Sequence, residues 1–79
     1  MSPTVLRIGG FRFFFFSRAE SRMHVHVSHA DGEPKFWIRP EISLANHTGL
    51  PQHTLNEIEE LIYRHQQEIS DAWNRHFTD

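Results

Sequence analysis

The chain contains no cysteine, which excludes a disulfide framework and any thiolate metal site. A domain of this size then depends on its hydrophobic core, helped at most by self-association. No hydrophobic run is long enough to cross a bilayer. The longest, FRFFFF at 11–16, is interrupted by Arg12 and falls far short of the roughly 20 apolar residues a membrane helix needs. The N-terminal residues do not follow the basic, apolar, small-residue order of a signal peptide. An excess of positive charge is missing too: the net charge is −2 with the histidines neutral, so diffuse attraction to nucleic acid is not expected. Repeats and low-complexity segments are also lacking. Together these absences point to one soluble, cytoplasmic domain over residues 1–79, with no membrane partner and no cofactor.

What charge there is lies unevenly. Residues 1–39 carry six Lys or Arg against three acids, and residues 40–79 carry two against seven. A basic half followed by an acidic half can bind each other or leave a local basic patch.

The punctuation of the chain predicts its elements. TVLRI, GG and FRFFFFS read as two strands joined by a two-glycine turn, because both central residues of a tight hairpin turn can then take positive φ. HVHVSH alternates with period two, ADGE supplies an Asp-Gly turn, and PKFWIR alternates back, which predicts a second hairpin. PEISLAN allows a short edge strand, with Pro40 tolerable at its first position. From about residue 52 to 77, Leu55, Ile58, Leu61, Ile62, Ile69, Ala72, Trp73 and Phe77 fall on one stripe at helical spacing. The stripe starts either at Pro51 or at a capping box of Thr54 with Glu57. Glu60 with Arg64 and Asp71 with Arg75 suit i,i+4 pairing on the opposite side. The expected fold class is α+β: a four- or five-stranded antiparallel sheet of two β-hairpins, with one long C-terminal helix packed on one face.

Counting from a two-residue turn at Asp31-Gly32 places Ser28 opposite Lys35, Val27 opposite Phe36, His26 opposite Trp37, Val25 opposite Ile38 and His24 opposite Arg39. Val25, Val27, Phe36 and Ile38 then form a core face. His24, His26, Ser28, Lys35, Trp37 and Arg39 share the other, and a one-residue slip would exchange the two. The same count around Gly9-Gly10 sets Arg7 opposite Arg12, with Val5 and Phe14 beyond, and puts Leu6, Ile8, Phe11 and Phe13 together. Opposed arginines repel unless an anion or a carboxylate lies between them. The simplest supplier is a glutamate from the helix or from a second subunit. One helix covers one face only, so the second apolar face calls for a partner chain, a curled sheet edge or the C-terminal end of the helix. A homodimer, or a complex with another small protein, is expected.

Several chemistries compete for the histidine-bearing face. His24 and His26 at i,i+2 could both ligate one metal ion, but Lys35 and Arg39 oppose a dication and His29 has the other parity, so no metal is expected. HVHVS is one residue short of the alternating three-histidine motif of histidine-triad nucleotide hydrolases, and HVS is half of the paired motif of two-histidine phosphoesterases. Neither motif is complete. What remains is general: a histidine can act as acid or base near neutral pH, and Lys or Arg can stabilise charge on a phosphate. That makes His24 and His26 candidate catalytic residues of a metal-independent ribonuclease, and Arg7, Arg12, Lys35, Trp37 and Arg39 candidate binding residues. The same cations, with Trp37 for base stacking, would serve RNA or DNA binding without chemistry. A protein-contact surface or a solvated face is the plainer alternative. His65 and His76, inside the apolar stripe, read as hydrogen-bonded structural histidines, and Trp73 and Phe77 as core anchors. His47 and His53 carry no signal. The sequon NHT at 46–48 means nothing in a cytoplasmic protein.

The ordered set PTVLRIGGFRFFFFS, HVHV, KFWI and RHQQEISDAWNRHF resembles the small bacterial proteins of domain of unknown function 4160, over residues 3–77. The resemblance implies a compact sheet-plus-helix protein. It also implies a gene beside that of another small protein, in pairs proposed as toxin–antitoxin modules. It carries over no catalytic residue; Arg7, Phe11, Arg12, Phe13, His24, His26, Lys35, Arg64, His65 and Trp73 are the positions matching its motifs. Family members commonly have prolines before the His-Val-His-Val run, where this chain has Arg22 and Met23.

Overall fold

The computed structural model describes residues 4–16, 21–46 and 49–77. Five strands, β1 (Thr4–Ile8), β2 (Phe11–Phe14), β3 (His24–Ser28), β4 (Lys35–Trp37) and β5 (Ser43–Leu44), form one antiparallel sheet in chain order. Two helices follow, α1 (Gln52–Arg64) and α2 (Gln66–Phe77). The α+β class and the antiparallel sheet agree with the sequence, whereas the single long helix does not.

The first hairpin closes where its glycines predict. Ile8 pairs with Phe11 and Arg7 with Arg12, and Gly9 takes φ +57°, a value costly for any residue with a Cβ. A bulge between Thr4 and Leu6 then shifts the register, so Thr4 rather than Val5 stands opposite Phe14.

The second hairpin turns one residue earlier than expected. His29 and Gly32 exchange both backbone hydrogen bonds, at 3.1 and 3.3 Å, leaving Ala30 and Asp31 as the central pair. Gly32 is therefore not a turn residue; a Cβ there would lie 3.3 Å from Leu50 Cγ, so its smallness serves the approach of Leu50. Moving the turn by one position moves the pairing by two. Trp37 faces His24, Phe36 faces Val25 and Lys35 faces His26. A two-residue slip keeps every side chain on its predicted side of the pleat.

Phe11, Phe13, Phe15, Val25, Val27, Phe36 and Ile38 bury against Leu55, Ile58, Ile62, Ile69 and Trp73 of the helices. The helical stripe contains one gap, at His65 and Gln66, where no apolar side chain grips the sheet. The chain bends there: His65 adopts φ −113°, ψ 21°, and its carbonyl still accepts from Ile69 N–H at 3.0 Å. The break lets Ile62 and Ile69, on either side of it, both reach zero exposure. α1 begins after Pro51, without a side-chain cap, so Thr54 is a buried residue of the first turn rather than a capping group. Glu60 pairs with Arg64 at 2.6 Å, while Asp71 accepts from Gln67 at 2.9 Å instead of pairing with Arg75. No helix among the described residues is long and apolar enough to cross a membrane.

Candidate functional site

With the helices on the inner face, the outer face of the sheet is a grid set by strand pairing. One row is Arg7, Arg12 and Ser28. The next is Thr4, Phe14, His26 and Lys35, and the last is His24, Trp37 and Ser43. None of the five strands contains an Asp or Glu. The described helical residues carry five acids, Glu57, Glu59, Glu60, Glu68 and Asp71, against Arg64 and Arg75. The uneven charge of the sequence thus becomes a basic sheet backed by acidic helices.

The middle of the grid is aromatic. Phe14, buried although it points away from the main core, stacks on His26 with centroids 5.5 Å apart. Arg12 lies 4.5 Å over the Phe14 ring, and its Nε donates to Thr4 Oγ1 at 2.8 Å. Phe16, 41% exposed, meets His26 edge-on at 4.3 Å. Trp37 is contacted by two cations, Arg22 at 4.2 Å and Lys35 at 4.4 Å. Such contacts are worth about 0.5–1 kcal/mol each where solvent reaches them. Lys35 is fixed at its backbone as well, where its N–H donates to Asn46 Oδ1 at 2.9 Å.

Four of the expected site residues sit differently from the count, Lys35 among them because it faces His26 rather than Ser28. His24 has the predicted parity but is only 2% exposed. Trp73, Trp37 and His26 close around it with centroids at 5.1, 5.7 and 5.1 Å, and its Nδ1 donates to the Arg22 carbonyl at 2.8 Å. The C-terminal end of the helical segment therefore seals one corner of the second face, one of the three coverings considered from sequence. Arg39 does not face His24. It lies past the end of β4, where its Nη2 donates to Ser70 Oγ of α2 at 3.2 Å, so it belongs to the sheet–helix joint rather than the grid. Trp37 faces His24 rather than His26. Arg7 and Arg12 are opposed as expected, but the helices lie on the other face, so no helix glutamate meets Arg7.

Of the remaining described histidines, His53 is exposed on α1, and His29, His65 and His76 have ring or hydrogen-bond contacts. His29 stacks on Phe11 at 5.0 Å, and its Nδ1 accepts from Asp31 N–H at 3.2 Å. His65 bonds Glu68 Oε1 at 2.6 Å, a carboxylate of its own helical segment rather than of the sheet. His76 is exposed beside Phe77. His47 and Thr48 of the sequon lie outside the described residues. Among the described residues no group of three or more His, Asp or Glu could hold a metal ion. Sequence reasoning missed Arg22, which stacks on Trp37 and ties its Nε to the Arg39 carbonyl at 2.8 Å, and Phe16, whose aromatic neighbours Phe14 and His26 come from β2 and β3. A strand-parity count cannot reach residues outside the strands.

A family model described as domain of unknown function (DUF4160) matches residues 10–74. No curated protein and no solved structure matches the chain.

Proposed function

The chain belongs to the family described as domain of unknown function (DUF4160), and on that footing we propose that it is the binding component of a two-gene, toxin–antitoxin-type module, docking an acidic partner protein on its outer sheet face. The observation that carries this reading is the grid itself: Arg7, Arg12 and Lys35 project among Phe14, His26 and Trp37 from strands that hold no carboxylate. Aromatic and Arg side chains are the usual anchors of protein interfaces. An all-basic surface selects an acidic counterpart and repels a basic one. Acid–base catalysis finds less support. A two-histidine mechanism needs both imidazoles at the substrate, and His24 is buried with Nδ1 engaged.

A second reading, a nucleic-acid-binding regulator, is favoured by one observation: Phe16 stands exposed beside His26, as a stacking platform for single-stranded RNA requires. Co-expression with the neighbouring-gene protein separates these readings. The expected result is a stable complex that copurifies, weakens as salt rises, and is lost on Arg12→Glu with Lys35→Glu. A chain that elutes alone and retains RNA in a salt-dependent manner overturns docking in favour of the regulator. RNA decay on induced expression, abolished by His26→Ala, overturns it in favour of a ribonuclease.

A further inference from the structure

At the β1 edge of the sheet, the start of β1 and the last turns of α2 leave a cleft of about 280 Å³ between them. Thr4, Val5, Phe15, Ala72, Arg75 and His76 line it, and no Asp or Glu does. Its floor is apolar: Phe15 is buried, and Val5 and Ala72 pack half-buried against the core. Its rim is polar. Arg75 and His76 follow Ala72 at i+3 and i+4 on one helix, so the three share a face, and the short Ala72 side chain keeps the space beneath the two longer ones open. The His76 ring is held against Phe15 and Phe77, with centroids at 6.0 and 4.3 Å. Arg75 is exposed and pairs with no carboxylate among the described residues. Asp71, one turn before it, is engaged by Gln67 instead.

We propose that this cleft binds a small carboxylate with a short apolar tail, the Arg75 guanidinium holding the two carboxylate oxygens, a His76 ring N–H donating to one of them, and the tail lying over Val5, Phe15 and Ala72. The site uses none of Arg7, Arg12 and Lys35 and does not depend on partner docking. A planar guanidinium fork matches a carboxylate through two parallel hydrogen bonds, and an imidazole offers an N–H in either neutral tautomer. Charge and shape select against other anions. Arg75 and His76 stand in the last turn of α2, where the helix dipole presents its negative end. One guanidinium balances one negative charge there, and a phosphate dianion would bring a second. Phosphate or sulfate would also leave the apolar floor in water, whereas an alkyl tail covers it and gains with each methylene group that is buried. The volume lies at the small end for ligand pockets, which limits the tail to a few carbons. A free short-chain acid and the C-terminal residue of a polypeptide share this chemistry.

The test is a titration of the isotopically labelled full chain followed by amide resonances, at constant pH and ionic strength, with hexanoate, N-acetyl-leucine, acetate and hexylammonium in parallel. Saturable shifts at Val5, Ala72 and Arg75 are expected for hexanoate. Binding should be weaker by about tenfold or more for acetate, which lacks the tail, and for hexylammonium, which carries the tail with the opposite charge. Arg75→Gln should weaken hexanoate by about tenfold or more as well. Arg75 is exposed and outside any ion pair among the described residues, so this variant keeps the thermal unfolding midpoint of the parent. Tighter binding of N-acetyl-leucine would identify a polypeptide C-terminus as the source, and tighter binding of hexanoate would identify a free acid. Shifts that do not saturate, that acetate or hexylammonium reproduces, or that survive Arg75→Gln overturn the site. Arg12→Glu with Lys35→Glu separates the two proposals, because it removes partner docking and leaves hexanoate binding within about twofold.

Discussion

His24 and Trp73 meet edge-on, with ring centroids 5.1 Å apart and planes at 66°. The start of β3 is thereby fastened to the last turns of α2, and the Nδ1 bond to the Arg22 carbonyl holds the imidazole in place. His24 works as a joint between sheet and helix. His24→Ala removes ring packing and a hydrogen bond from a buried position, and a loss of about 2–4 kcal/mol is expected from a cavity of that kind. Urea unfolding measures it directly. A loss below about 1 kcal/mol would mean that His24 does not fasten the sheet to the helix.

The two hairpin glycines separate by conformation. Gly9 holds φ +57° and a Cβ at either position meets no atom within 4 Å, so space is not the issue. Gly9→Ala should cost about 1–2 kcal/mol through the left-handed backbone alone. Gly10→Ala should be tolerated within about 0.5 kcal/mol. Equal losses in thermal unfolding would contradict the turn geometry.

Side-chain parity is legible in the sequence because alternation within HVHVS and KFW decides which residues turn inward, whatever the pairing. Register is less legible. Asp31-Gly32 is a strong hairpin signal, yet Gly32 is occupied with making room for Leu50, a contact from eighteen positions downstream that no local count reveals. The helix break is half legible: the stripe does lapse at His65 and Gln66, but a lapse reads equally well as a satisfied polar residue in a straight helix. The burial of His24 is not legible at all, since it depends on where Trp73 arrives after the bend. Arg22 and Phe16 escape for a related reason, lying just outside the strands whose periodicity carries the inference.

Gly32 and Leu50 should couple. An alanine methyl at Gly32 would press on Leu50 Cγ at 3.3 Å, tighter than ordinary van der Waals contact, and such overpacking costs on the order of 1 kcal/mol where the neighbour cannot yield. Leu50→Ala removes the obstruction. In a double-mutant cycle, Gly32→Ala is therefore expected to destabilise the parent and to be neutral or stabilising in the Leu50→Ala background, a coupling of about 0.5–1.5 kcal/mol. Additive effects would place Leu50 away from the turn.

Ile62 and Ile69 test the helix break. Both are fully buried, one on each side of His65, so each truncation to Ala should cost about 2–5 kcal/mol. If α1 alone packed on the sheet and α2 were a loosely held extension, Ile69→Ala would cost little while Ile62→Ala kept its full effect. Guanidinium unfolding of the two variants decides between these.

Trp37 reports on the outer face without any ligand. Arg22 and Lys35 each lie within about 4.5 Å of its ring, and both cations approach it from exposed or half-exposed positions. Removing them by Arg22→Ala with Lys35→Ala should lower stability by no more than about 1–2 kcal/mol in all, given the modest worth of solvent-accessible cation–π contacts. The indole itself should become markedly more accessible. Acrylamide, being neutral, reads this without an electrostatic bias, and Trp73 stays buried at 8% exposure, so an increase in the quenching constant arises from Trp37. The same double substitution in a Trp37→Phe background should then leave quenching unchanged. An increase that persists in that background would trace to Trp73 and to loosening of the core, and the outer-face cations would have to be assigned a structural role instead of a binding one.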